Sequence, residues 1–391
     1  MVLQRLHTRP LLKFANELAV GLRRRGAPAH RVEDTMSEFT RSTGLKVGFH
    51  VLPGVILASY KGTDLLEVSP GPPDLAGLDA LSSVAQGVSR GQLSATEGLA
   101  RIRALDARGP IYGPRITLLG FAAASATAVG FFGGGLLEMV AAGLIGALCG
   151  LLISFRMVDV VAAALGTFGL TVAAHYLPIA GDIALVTGII ILLPGFALTT
   201  ALTELATRHL VSGTAGLAAA ALTLLQLGFG VALGSRLAEL IVGPVQWAEA
   251  AVQLPLWCEP VALIGAALAF GILLQARPRH LPHVLGACIV ALYATQAAAL
   301  VLGHELAGGA GAFGVTICAN AASRRFNQPV AVWQVPGILL LVPGSLGFRS
   351  VTALLEHDIL GGVEAAFSTL IGAIALVGGS LLGAAVVPAR N

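Results

Sequence analysis

Acidic side chains inside or at the edge of long apolar stretches are costly unless their charge has a function, and three of those in this chain are the best candidates for carrying a proton. They are Glu138, Asp182 and Glu204. A carboxylate in such a place can bind a proton on one side of a membrane and release it on the other. We therefore interpret Glu204, Glu138 and Asp182 as candidate proton-coupling residues, in no firm order. The alternative, that each lies in the interface and is solvated, stays open.

Two proline–glycine pairs interrupt apolar stretches, and they lie 149 residues apart, at Pro194-Gly195 and Pro343-Gly344. Proline removes an amide donor and clashes with the preceding turn, and glycine lets the backbone open. In lipid, a broken helix persists only where protein or a wet cavity satisfies the freed carbonyl groups. Matching breaks in two halves of a chain therefore predict a substrate site. A simple kink that aids packing is the alternative interpretation.

Polar side chains near these breaks have the chemistry to hold the ammonium, carboxylate and hydroxyl groups of a small solute. Many such groups instead join helix to helix, so that alternative stays open for each of them. The predicted substrate-binding residues are Pro194, Gly195, Thr199, Thr200, Asn320, Gln334, Pro343, Gly344 and Ser345.

The composition of the chain indicates whether water or lipid surrounds the helices that position these residues. The chain has 391 residues, of which 55% are hydrophobic and 12% are charged. Residues 116–391 hold 9 Arg, no Lys and 11 Asp or Glu, too few charges to coat a soluble globule of that size. Lipid must therefore surround this part of the chain. Nucleic-acid binding is excluded because no basic patch and no nucleic-acid motif is present.

Ten apolar stretches follow residue 115, and we predict that each crosses the membrane. They cover residues 116–132, 135–155, 157–177, 181–203, 214–241, 257–275, 282–302, 305–322, 330–348 and 361–387. With the N-terminus inside, the cytoplasmic ends hold Arg115, Arg156, Arg208, Arg277, Arg279, Arg324, Arg325 and Arg390. Only Arg236 and Arg349 lie outside, and this bias predicts that both termini are cytoplasmic.

The sequence around the first Pro-Gly pair repeats around the second. Residues 188–213 match residues 337–362 without a gap, at eight of 26 positions. The pairs lie in the fourth and ninth stretches, so each half has five, and an odd number makes the second half run in the opposite sense. This is an inverted-topology repeat, a plan of secondary transporters. We predict a first five-helix repeat over 113–245 and a second over 246–391.

Residues 1–112 are predicted to form a small cytoplasmic α/β domain. We expect helices up to a stop at Gly26, and near 28–42, 74–89 and 95–108, with short strands between 45 and 68. Arg31, Glu33 and Asp34 form a compact charged group on the second helix. We interpret them as residues that gate the cytoplasmic mouth or regulate the protein, and a solvated helix face is the alternative.

Four motifs point to a known family. They are GAPAHRVEDTM at 26–36, FHVLPGVI at 49–56, LPGFALTT at 193–200 and LVPGSLGFR at 341–349. With these motifs the chain resembles the threonine/serine exporter family over almost its whole length. The resemblance implies proton-driven export of threonine and serine across the bacterial inner membrane. The family pattern has an acidic residue, usually Asp, after the first Pro-Gly helix, and Glu204 keeps that charge on a longer arm.

Two alternatives to amino-acid export stay open. Relatives that are split over two chains look like dicarboxylate (succinate-type) exporters. The alternative from another class is a membrane-bound sensor or enzyme that acts through the N-terminal domain. We expect no enzyme activity, no catalytic residue, no cofactor and no metal. The expected partners are the small-molecule substrate, protons and the lipid bilayer. Glycine-rich helix faces can pack within one chain or between chains, so a homo-oligomer also stays open.

Overall fold

The structure is a computed structural model that describes residues 2–155, 157–245, 247–248, 254–255, 257–326, 328–355 and 357–388. Two of the arginines used to predict orientation, Arg156 and Arg390, lie outside these ranges. The described chain is mostly helical, with a single three-stranded sheet near its start.

Residues 2–112, here called the N-terminal segment, contain four helices and the sheet. Their bounds are α1 Val2–Arg24, α2 Ala29–Thr43, β1 Gly48–Leu52, β2 Val55–Ser59, β3 Thr63–Glu67, α3 Leu75–Ser89 and α4 Ala95–Asp106. The strands pair antiparallel in the order β1-β2-β3. Gly26, Gly44 and Gly54 end elements with positive φ angles of 77°, 70° and 79°, which side chains with a Cβ rarely adopt.

The helices of the N-terminal segment enclose a hydrophobic core. Phe14 and Leu18 of α1, Met36 of α2, Ile56 of β2 and Leu81 of α3 are all fully buried in it. A capping box between Ser94 and Glu97 begins α4.

The remaining helices are apolar and pack against one another. Their bounds are α5 Pro114–Ala128, α6 Leu136–Leu152, α7 Val158–Tyr176, α8 Gly181–Gly188, α9 Gly195–Ala206, α10 Leu210–Val242, α11 Cys258–Leu273, α12 Leu281–Leu302, α13 His304–Phe326, α14 Ala331–Leu341, α15 Gly344–Leu355 and α16 Ile359–Val386. Short 3₁₀ turns, Val129–Phe131 and Pro278–His280, follow α5 and precede α12.

Seven helical stretches of the described chain are long and apolar enough to cross a membrane, whereas the sequence predicts ten crossings. The difference has two causes. Helices α6 and α11 are apolar but shorter, and the fourth predicted stretch is divided into α8 and α9 by the break before Gly195. The eighth stretch is a helix of 23 residues. The structure is therefore that of an α-helical, multi-pass membrane protein.

Helix pairs of the first half recur in the second half. Helix α7 packs along α10, and α13 packs along α16 in the same way. Likewise α9 contacts α10, and α15 contacts α16. Between the halves, α10 contacts α15 while α16 contacts α9, and α5 packs against α11. Each contact in the first half thus has a counterpart between the corresponding helices of the second half, and α5–α11 joins the first helices of the two halves.

The N-terminal segment is joined to the second half through the start of α3. The backbone amides of Leu75 and Ala76 donate to the carbonyl oxygens of Leu274 and Gln275, at 2.9 and 3.3 Å. Free amides at one helix start thus satisfy free carbonyls just past the end of α11. Asp79, which is buried, adds ion pairs to Arg279 at 2.7 Å and Arg277 at 3.3 Å, and its charge is thereby compensated.

We expect Asp79→Asn to loosen this joint. The substitution removes the negative charge from two ion pairs at nearly unchanged volume, and hydrogen bonds to charged groups contribute about 1.5–3 kcal/mol each. Thermal unfolding of the N-terminal segment should begin at a lower temperature, and proteolysis near residue 110 should be faster. Asp64→Asn, on the exposed face of β3, is the matched control. Equal proteolysis of the two variants would contradict the expectation.

Candidate functional site

The two Pro-Gly breaks meet inside the bundle. A Cβ atom added to Gly195 would lie 2.0 Å from Val342 Cγ1 and 3.0 Å from the backbone nitrogen of Gly344. A Cβ added to Gly344 would lie 3.2 Å from the Cα atom of Gly195. The approach at Gly195 is too close for a side chain and the approach at Gly344 is tight for one, so the backbones come together here because both residues are glycine. We call this contact the crossing.

The helices that follow the two breaks begin in the same way, although α8 ends at Gly188, well before its break, and α14 continues to Leu341. The first intrahelical hydrogen bonds of α9 and α15 go to the carbonyl oxygens of Pro194 and Pro343, at 2.8 and 3.2 Å. Beyond each helix a residue other than glycine adopts a positive φ, 65° at Arg208 and 67° at His357. These two residues are 149 positions apart, the offset of the sequence repeat. The sequence repeat is therefore matched in conformation from the start of α9 and α15 to the residue that follows each helix.

Helices α9 and α15 both begin at the crossing, and this gives it a positive electrostatic character. The first amides of a helix have no acceptor within the helix, and the helix dipole adds partial positive charge there. The carbonyl group of Gly188, released by the first break, accepts a hydrogen bond from Ser125 Oγ at 2.9 Å. Two helix starts that face one another can together bind an anionic group such as a carboxylate.

A buried hydroxyl group stands beside the crossing. Thr199 lies one turn after Gly195 on the same helix face, and helical side chains lean back towards the helix start. It is 5% exposed, and within the described residues its Oγ1 has no hydrogen-bond partner. Thr200 and Ser345, also predicted to bind substrate, are half-buried. An unpaired buried hydroxyl is costly, and a ligand with a hydrogen-bonding group would satisfy it.

The other predicted substrate residues form a polar cluster between α13 and α14. Gln334 Nε2 lies 3.5 Å from Thr316 Oγ1, and Asn320 follows Thr316 one turn later on the same face. Asn320 donates from Nδ2 to the carbonyl oxygen of Val387 at 2.6 Å. Its Oδ1 is buried and has no partner among the described residues. The structure thus brings Asn320 and Gln334 together, in a cluster separate from the crossing.

Glu204 caps a helix of the N-terminal segment. Its Oε1 accepts a hydrogen bond from the backbone amide of Ala29 at 2.8 Å, across 175 residues of sequence. Ala29 is the first residue of α2, and the residue before it, Pro28, offers no side-chain cap. Glu204 is 4% exposed, so this bond is made in a protected place. The carboxylate of α9 therefore supplies the acceptor that the start of α2 lacks.

Two of the three predicted gating residues also contact the membrane helices. Arg31 donates from Nη2 to Gln334 Oε1 at 3.0 Å. Glu33 accepts from the amide of Val51 at 2.7 Å, and its Oε2 lies 3.2 Å from His209 Nε2. Asp34 is exposed, yet its charge acts on Arg31. The pKa of Arg31 is lowered overall because burial disfavours its charge, and Asp34 offsets part of that lowering.

The other two acidic candidates have contrasting surroundings. Glu138 is buried, and its two oxygens accept from the amides of Gly135 and Ala180, each at 2.8 Å. It thereby ties the start of α6 to the start of α8. Asp182, in the first turn of α8, is exposed. Of the three carboxylates, Glu204 alone joins a membrane helix to the N-terminal segment.

Sequence reasoning missed His209 and the amide of Ala29 as partners at this junction. One signal for Ala29 was present, because a helix that begins after proline, without Ser, Thr, Asp or Asn, needs an acceptor from elsewhere. Among the described residues, no group of three or more His, Cys, Asp or Glu side chains forms a metal site.

Both halves of the chain match models of threonine/serine exporters. The family model "Threonine/Serine exporter, ThrE" matches residues 261–386, and a further threonine/serine exporter model matches residues 13–238. "Pheromone-regulated membrane protein 10" of Eremothecium gossypii is 27% identical over 83% of this chain and 47% of its own length. An uncharacterised protein of Schizosaccharomyces pombe is 24% identical over 81% of this chain and 41% of its own length.

The chain therefore spans less than half the length of these curated relatives. No solved structure matches the chain.

We expect Gly195→Ala to disrupt the crossing. The new methyl group would overlap Val342 and the backbone of Gly344, and overpacking costs about 1–3 kcal/mol. The purified variant should unfold at a lower temperature than the unaltered protein. Gly378→Ala, in α16, is the control because a Cβ there meets nothing within 4 Å. A Gly195→Ala protein as stable as the control would show that the backbones have room to separate.

The contact of α2 with Glu204 and His209 should also weaken in acid because of His30. Burial, together with Arg31 and His209, lowers the pKa of His30 from 6.5 to about 3. The folded state therefore favours neutral His30, and its stability is complete above pH 6.5 and falls as the pH drops towards 3. His30→Gln should flatten this part of the pH profile of thermal unfolding. An unchanged profile, or the same flattening in the exposed control His50→Gln, would contradict this expectation.

Proposed function

Because the chain belongs to the threonine/serine exporter family, we propose that it is a secondary active exporter of threonine, serine and similar small polar amino acids. The carrier works by alternating access, and the proton gradient drives export. The observation that supports this proposal most is the crossing, where two broken helices begin face to face at Gly195 and Gly344.

The crossing suits the chemistry of an amino acid. The carboxylate of the substrate would accept from the first amides of α9 and α15, where the helix dipoles favour negative charge. The hydroxyl group of threonine or serine would pair with the buried Thr199 Oγ1, which has no partner among the described residues. A polar site of this kind favours a substrate with a hydroxyl group over its deoxy analogue.

The architecture that we propose has ten crossings in two inverted five-helix repeats. It adds α6, α11 and the α8–α9 pair to the seven longer stretches. The recurring helix pairs, and the shared φ values at Arg208 and His357, support the repeat. The arginine distribution supports cytoplasmic termini and a cytoplasmic N-terminal α/β domain over residues 1–112. The membrane we propose is the bacterial inner membrane, although the two curated relatives are fungal.

For the coupling proton we favour Glu204 over Glu138 and Asp182. Both oxygens of Glu138 accept backbone amides, so protonation there would break a joint between α6 and α8. Asp182 is exposed and stays in contact with one side. Glu204 is buried and its known bond goes to α2, so a change in its charge would be felt by the N-terminal segment. Arg31, Glu33 and Asp34 then act in gating the cytoplasmic side.

We expect inside-out vesicles that contain the protein to take up labelled threonine when their lumen is acidified. Glu204→Gln keeps the size of the side chain and should abolish uptake driven by the gradient. Exchange of threonine for threonine without a gradient should persist. Glu204→Asp should retain part of the driven uptake, because the titrating group is kept.

Three results would contradict the proposal. A protein that ignores threonine and serine but moves succinate would be a dicarboxylate exporter. Uptake that does not respond to the gradient would remove the proton from the mechanism. If Glu204→Gln loses exchange together with driven uptake, whereas the protein stays folded, Glu204 has a role other than coupling.

A further inference from the structure

We propose that Arg31 of the N-terminal segment binds the carboxylate group of the substrate on its way to the crossing. The inference rests on the proposed function and extends it, because it assigns a substrate-binding residue to the N-terminal segment. In this arrangement Arg31, Gln334, Thr316 and Asn320 form one recognition site, here called the vestibule site.

The first argument is the charge of Arg31. Arg31 is half-buried, and burial is the main cause of its lowered pKa. Within the described residues its hydrogen bond goes to the neutral amide oxygen of Gln334, which brings no counter-charge. Two acidic residues of the same helix do not form an ion pair with it, since Asp34 is exposed and acts on Arg31 only through its charge, and Glu33 bonds to Val51 and His209. A partly buried cation without a hydrogen-bonded anion is unfavourable, and a carboxylate ligand would compensate its charge.

The second argument is the shape of the donor. A guanidinium group presents parallel N–H donors that match the two oxygens of a carboxylate. Among the described residues, the hydrogen bond of the guanidinium group is that of Nη2 to Gln334 Oε1 at 3.0 Å, and a carboxylate could share or replace that acceptor. Gln334 in turn lies 3.5 Å from Thr316 through its other amide atom. The guanidinium group is therefore continuous with the polar cluster of α13 and α14.

The third argument is an unpartnered acceptor in the same cluster. Asn320 is fully buried, and its Oδ1 has no hydrogen-bond partner in the described part of the chain. Its other amide atom is fixed by Val387, which holds the side chain in one orientation. An ammonium group is a donor that such an oxygen could accept. The cluster thus offers a cation for a carboxylate and an acceptor for an ammonium group, the two charges of an amino acid.

The test compares threonine with threonine amide, which lacks the carboxylate, in uptake by inside-out vesicles. Arg31→Gln should raise the KM for threonine about tenfold or more, because a charge-assisted hydrogen bond is lost. The maximal rate should change little, and the KM for the amide should stay the same. Arg31→Lys keeps the charge but lacks the parallel N–H donors of the guanidinium group. Its KM for threonine should therefore lie between those of the unaltered protein and Arg31→Gln. Arg41→Gln, exposed on the same helix, is the control.

A purely structural latch between Arg31 and Gln334 predicts a different result. Gln334→Ala removes the latch but leaves the cation, so it should keep the preference for threonine over the amide. The inference is wrong if Gln334→Ala abolishes that preference as Arg31→Gln does. It is also wrong if Arg31→Gln raises the KM for threonine and the KM for the amide by the same factor. Arg31→Lys with the preference of Arg31→Gln would also overturn it.

The proposed function can fail separately from the vestibule site. Unaltered protein that carries succinate but not threonine, with a KM for succinate raised by Arg31→Gln, would support Arg31 as a carboxylate site and refute amino-acid export. Unaltered protein that carries neither solute would overturn both proposals. Transport of threonine with equal preference for its amide would leave the export proposal intact and refute the vestibule site.

Discussion

A backbone amide or carbonyl group inside a bilayer has no water to bond, and this constraint governs the rest of the structure. A helix can break there only where protein supplies the missing partners. In this chain the two breaks cover each other at Gly195 and Gly344, and Ser125 takes up a carbonyl group released beside the first. The breaks are therefore tolerated as a pair, and the positive helix starts that they create are turned inwards.

The same rule explains how the N-terminal segment is attached. Two of its helices begin with backbone amides that find their acceptors on a membrane helix or just past the end of one. The start of α2 uses the carboxylate of Glu204, and the start of α3 uses the carbonyl groups of Leu274 and Gln275. One contact belongs to the first half of the chain and the other to the second. The segment therefore bridges two parts that an alternating-access cycle would have to move.

Much of the fold could be predicted from sequence because its causes are local. The stops at Gly26 and Gly44 follow from the φ angles that only glycine adopts readily, and the capping box of Ser94 follows from its spacing to Glu97. The Pro-Gly repeat predicted where helices break. It did not predict that the breaks touch, because contact between distant segments depends on how the helices are arranged around them.

The candidate site was harder to predict for the same reason. Arg31 and Gln334 are 303 residues apart, and nothing in the local pattern of either names the other. Glu138 and Glu204 look alike in sequence, as acids at the ends of apolar runs. Their partners differ, since Glu138 joins two membrane helices whereas Glu204 reaches the N-terminal segment. Function at these positions depends on the partner more than on the residue type.

The crossing has a consequence for the history of the chain. If the two halves descend from one duplicated gene, Gly195 and Gly344 were once the same residue in two copies of a shorter protein. That residue would have touched itself across a twofold axis, and any mutation would have placed two methyl groups at the same point at once. In a symmetric ancestor, every substitution at this position would have been present in both copies. The need for glycine at both positions is then older than the single chain that now contains them.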